Sequence, residues 1–135
     1  MDLKQIYVAK ILKVHKSTYS NWENNYDTIP LKKLIYYANY FSFSLEFLFG
    51  ISSVNNYKYI SINLKTIGFN LKKRRMSIMK TRRYVVKKAK IDYSSYCDFE
   101  NGKRLISTSA LYSLSLVYKD FSFDDVFIKK IDLLS

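Results

Sequence analysis

One cysteine, one histidine, one proline and three glycines are present in 135 residues. A lone thiol, Cys97, forms no intramolecular disulfide, and with His15 it falls short of the ligands that a Cys/His metal site needs. No nucleophile motif accompanies His15, which argues against a Ser-His-Asp hydrolase; no catalytic residue, cofactor or small-molecule ligand is indicated. A long apolar run is missing as well. The stretch from Leu34 to Leu45, broken by Asn39, Ser42 and Ser44, is about half a membrane span. Met1-Asp2-Leu3-Lys4-Gln5 carries no apolar signal core with a cleavage site behind it. The expectation is a soluble cytoplasmic protein with no membrane partner, in keeping with the free thiol.

What is present is apolar and basic. Hydrophobic residues make up 48% and aromatics 17%, enough for a core in one average domain or two small ones. Lysine and arginine total 23 against 11 acids, a net charge of +12. Residues 1–57 hold six lysines and four acids, and residues 91–135 hold five bases and seven acids. Residues 58–90 hold twelve bases and no acid, so this one stretch accounts for the whole +12. A basic segment between nearly neutral ones is what a docking face for a polyanion requires.

The chain also repeats itself at an offset of 77 residues. Trp22-Glu23-Asn24-Asn25 recurs as Phe99-Glu100-Asn101-Gly102, and Val8, Val14, Ile29 and Leu34 match Val85, Ile91, Ile106 and Leu111. One residue is then inserted, so that Phe43-Ser44-Leu45-Glu46 matches Phe121-Ser122-Phe123-Asp124. Three-four spacing makes both copies helical. Leu34, Tyr37, Ala38, Phe41, Leu45 and Leu48 mark the first, with Pro30 in a first helical turn and Ser44 capping a further short helix. In the second copy Leu64, Ile67, Leu71 and Ile78 mark one helix, and Val85, Val86 and Ala89 the next. Tyr96 and Phe99 mark a third, capped by Asp92 and ending at Gly102; Leu111, Leu114 and Tyr118 mark a fourth. Ser122 with Asp125 forms a capping-box pattern for a fifth.

These residues resemble the Cro/CI-type helix-turn-helix domain, also called the XRE family, of bacterial and phage regulators. The carriers in copy one are Gln5, Ala9, Leu12, Ser17-Thr18, Trp22-Glu23-Asn24 and Ile29-Pro30. In copy two they are Thr81, Val85, Ser94-Ser95 and Phe99-Glu100-Asn101-Gly102-Lys103. The resemblance implies an all-α, lambda repressor-like fold in two tandem five-helix domains. It covers 1–50 for the first, 51–57 as linker, 58–128 for the second and 129–135 as tail. The first copy lacks a counterpart of the helix at 64–78, which leaves three sources of cover: an upstream start, the Tyr57-to-Ile62 segment, or a second chain in a homodimer.

By resemblance the second helix of each domain crosses the phosphate backbone and the third enters the major groove of double-stranded DNA. Base contacts then fall on His15, Lys16, Ser17 and Asn21 and on Tyr93, Ser94, Ser95 and Asp98. Phosphate contacts fall on Gln5, Thr81, Arg82, Arg83, Lys103 and Arg104, with Arg82 and Arg83 foremost, because they add cations to a helix N-terminus. Trp22, Phe99, Tyr19 and Tyr96 read as core, and Glu23 and Glu100 as braces of the turn. Lys80 and Lys88 stand where the family has leucine, and Arg82 where it has glutamine. The function implied is a sequence-specific transcriptional regulator, most simply a repressor that occupies its operator, with copy one reading bases and copy two clamping phosphates. The alternative is an antitoxin-like protein-interaction module that keeps the fold.

Overall fold

A computed structural model of the chain describes residues 9–11, 13, 15, 17–18 and 29–129. Every regular element among them is an α-helix. The chain divides into two compact units, Met1–Tyr59 and Ile60–Ser135.

In the first unit, α1 (Leu31–Phe41) buries Leu31, Ile35 and Ala38, one stripe at three-four spacing. Pro30 is the residue before the helix and not part of its first turn: its backbone is extended, and its carbonyl accepts the Leu34 amide at 3.0 Å. Ser42 closes α1 in the left-handed region, φ 59°, and the Phe43 amide turns back to Ala38 at 2.9 Å. Ser44 then caps α2 (Leu45–Leu48), its Oγ accepting the Phe47 amide at 3.2 Å. Residues 51–57, expected as a linker, are tied to this unit. The Asn55 side-chain amide donates to the Ser42 carbonyl at 2.9 Å, while its Oδ1 accepts the Ser44 amide at 2.7 Å. Tyr57 adds a hydroxyl bond to Asn39 at 3.3 Å.

Among its described residues the second unit has five helices: α3 (Leu64–Ser77), α4 (Arg82–Ala89), α5 (Tyr93–Glu100), α6 (Thr108–Val117) and α7 (Asp124–Phe127). Four begin at side-chain caps. Asn63, Thr81, Asp92 and Ser107 each accept the amide three residues on, satisfying a donor that has no partner inside its helix. The fifth departs from the expected capping box. Phe123 is buried with helical backbone, so the start shifts one residue, and Ser122 contributes its carbonyl to the Asp125 amide at 3.1 Å. The core joins Ile67 and Leu71 of α3, Val85 and Ala89 of α4, Tyr96 and Phe99 of α5, and Leu111 and Leu114 of α6. Lys80 and Lys88 lie outside it, exposed.

Gly68 sets how closely α3 meets α5. A Cβ there would stand 2.5 Å from the Glu100 carbonyl oxygen and 2.7 Å from that of Phe99, closer than atoms can pack, so only glycine lets the two backbones touch. Gly102 ends α5 at φ +71°, where a side chain would be strained.

Candidate nucleic-acid interface

Two eight-residue helices, α4 and α5, are joined by three residues. Lys90 closes α4 at φ 57°, the Ile91 amide bonds back to Val86 at 3.0 Å, and Asp92 opens α5. The Asp92 carboxylate accepts both the amide and the hydroxyl of Ser95 at 3.0 Å. These two bonds, backbone first, hold its carboxyl below the usual value.

Beneath the turn lies a buried ionic brace. The Arg75 guanidinium forks onto Glu100, Nε to Oε2 at 2.8 Å and Nη2 to Oε1 at 3.0 Å, and its Nη1 donates to the Lys80 carbonyl at 2.8 Å. Arg82 approaches from α4, Nε to Glu100 Oε1 at 3.1 Å and Nη2 to Asn101 Oδ1 at 3.2 Å. The Glu100 side chain is 0% exposed. Burial pushes its carboxyl up, but the bonds and charges of Arg75 and Arg82 and the nearby Tyr96 hydroxyl outweigh this and hold it below the usual carboxylate value. Burial raises the Tyr96 and Tyr118 phenols beside it.

The expected contact residues divide on this scaffold. Gln5, Lys16 and Asn21 lie outside the described residues. His15 and Ser17 are exposed, and the Ser17 amide donates to His15 Nδ1 at 3.1 Å. At the 77-residue offset the position of His15 is that of Asp92, which accepts the amide three residues on rather than two. Thr81 is exposed, its hydroxyl capping α4. Tyr93 and Ser94 are exposed at the start of α5, while Ser95 is half-buried and tied to Asp92. Arg83 lies over the Tyr93 ring, 4.3 Å from its centroid, which joins the two helices by a cation–π contact. Asp98 pairs with Arg104 at 3.4 Å, so its charge is offset and the Arg104 guanidinium is shared between it and the Phe99 ring. Lys103 is exposed.

Arg82, expected as a leading phosphate contact, also bonds Glu100 and Asn101, because a buried carboxylate draws in a second guanidinium. Further groups on this face escaped the sequence reading. Tyr84 is exposed between Lys80 and Lys88, whose ammonium groups lie 4.6 and 5.8 Å from its ring centroid, with Lys87 exposed on the same helix. The four-residue spacing of Lys80, Tyr84 and Lys88 was the signal. A cleft of about 370 Å³ runs beside α5, lined by Lys90, Asp92, Ser95, Arg104 and Ser107 among others. This surface offers cations along α4 and hydroxyls at the start of α5, which suits phosphates and base edges. Among the described residues no cluster could hold a metal ion, and no helix is long and apolar enough to cross a membrane.

Comparison with known proteins agrees with the helical architecture. No curated protein and no solved structure matches the chain significantly. Residues 1–48 match the family model described as helix-turn-helix.

Proposed function

We propose that the chain is a double-stranded DNA-binding transcriptional regulator that represses by occupying its operator, with a second helix-turn-helix domain formed by residues 60–128. The observation that carries this is the α4–turn–α5 arrangement. Its exposed cations, Lys80, Arg83, Lys87 and Lys88, adjoin a helix that opens with Tyr93 and Ser94, and Arg83 ties the two together. In this reading α5 enters the major groove while α4 and Lys103 grip phosphates. Serine and tyrosine hydroxyls both donate and accept, so they discriminate bases weakly. Asp98, paired with Arg104 at 3.4 Å, adds little repulsion against the phosphates in this reading. The second unit therefore clamps, and sequence preference comes from the first through His15, Lys16, Ser17 and Asn21.

The test is a shift assay on the DNA upstream of the protein's own gene across a salt series. Log affinity should fall with log salt at about −0.9 per phosphate neutralised. Binding that ignores salt overturns the reading. It would favour the protein-interaction alternative, for which unit one offers Tyr36, Tyr40 and Phe47 exposed on α1 and α2.

A further inference from the structure

We infer that the outward face of α3 is a second nucleic-acid site, one that takes a single strand. Lys65, Phe69, Lys72, Lys73 and Met76 fall within about 100° of one another around the helix. All five are exposed, Phe69 at 64% and Met76 at 56%. The opposite side of α3 does the folding work, with Ile67 and Leu71 in the core and Arg75 reaching to α5. Phe69 contributes nothing to that core, and leaving a phenyl ring in water forgoes the gain of burying it.

Beside Phe69 the surface is concave. A groove of about 230 Å³ is lined by Lys65, Thr66, Phe69, Asn70, Lys73 and Lys129. Its floor is held still, because the Asn70 side-chain amide donates to the carbonyls of Val126 at 2.9 Å and Ile128 at 3.1 Å. Three ammonium groups and no carboxylate line it, so the occupant is anionic. An aromatic ring among those cations is a place for a planar group to stack. Phosphate beside an unstacked base is the chemistry of a single strand, which a basic groove tracks by its backbone while bases lie on exposed rings. A duplex keeps its bases stacked inside and cannot offer one to Phe69. A bilayer is flat, whereas these lysines surround a hollow. Because Arg75 and Gly68 turn α3's other sides to α5, the outward face stays open when the α4–α5 surface is occupied. The inference therefore stands apart from the duplex reading.

Fluorescence anisotropy of the full chain with labelled oligo(dT) and oligo(U) tests it. Phe69→Ala should weaken oligonucleotide binding on the order of tenfold. Phe69→Trp should retain it, and paired Lys65→Gln and Lys73→Gln should flatten its salt dependence. None of these should alter duplex affinity, and excess duplex should leave the oligonucleotide bound. Unchanged affinity in Phe69→Ala, or full displacement by duplex, overturns the inference. So does absence of oligonucleotide binding with Phe69-dependent sedimentation on phosphatidylglycerol vesicles. Phe69 and both lysines are exposed, so these variants keep the fold.

Discussion

Arg75 and Glu100, 25 residues apart in sequence, meet as a two-pronged ion pair out of solvent, at 2.8 and 3.0 Å. One comes from the first helix of the unit and the other from the end of α5, so the pair fixes the exposed helix against the body of the fold. Losing one partner strands the other without water. Arg75→Met or Glu100→Gln should each cost about 3–5 kcal/mol in urea unfolding. Replacing both with apolar residues of similar volume should recover most of that, and equal losses for single and double variants would refute the pairing.

The same carboxylate sets an acid limit. Glu100 is held below its ordinary value of 4.5, so the native state binds its proton less readily than the unfolded chain does. Its stabilisation is complete above about pH 4.5 and is lost as pH falls through the depressed value. Asp92, lowered by the Ser95 bonds, acts in the same direction. The urea midpoint should drop as pH falls below about 4.5, and less steeply in Glu100→Gln; parallel profiles would contradict this.

Arg82 and Arg83, adjacent on α4, should separate cleanly. Arg82→Ala removes bonds to Glu100 and Asn101 and should lower stability by about 1–2 kcal/mol. Arg83→Ala loses the Tyr93 contact, worth at most about 1 kcal/mol, but should weaken duplex binding and flatten its salt slope by about 0.9. Thermal melts beside a salt series read both.

Asp98 restrains Arg104. Asp98→Asn should change stability by less than about 1 kcal/mol, since both groups are exposed. It should tighten duplex binding and steepen the salt dependence by freeing a cation. Weaker binding would mean that Asp98 itself accepts from a base.

Gly68→Ala tests the contact between α3 and α5. Alanine is the better helix former by about 1 kcal/mol, yet its Cβ would lie 2.5 Å from the Glu100 carbonyl oxygen. Separating the backbones should outweigh that gain, leaving a net loss of about 1–3 kcal/mol with helicity retained.

The helices of the second unit were legible in its stripes and caps: Ile67 and Leu71, Val85 and Ala89, and the Asp92 cap all lie where spacing puts them. Arg75 was hidden within a run of four bases. It lies four residues beyond Leu71 on the buried stripe, and only the position of Glu100 shows why a guanidinium belongs there. Once Glu100 is known to be buried, the approach of Arg82 follows, but sequence order does not reveal that three charges converge. Asn55 was unreadable for another reason: its bonds span 11 and 13 residues to a turn closed by Ser42 and Ser44, and no local pattern announces them. Base-contact assignments on Tyr93, Ser94, Ser95 and Asp98 came from alignment alone.

α5 is seated chiefly from its inner side, by bare backbone against Gly68 and by the Arg75–Glu100 pair, while its outer contacts, Arg83 over Tyr93 and Arg104 on Asp98, are weak ones. Tyr93, Ser94 and Asp98 can be exchanged without disturbing the joint that carries them. The exposed letters of this helix can therefore drift while the buried joint beneath them, and with it the fold, stays as it is.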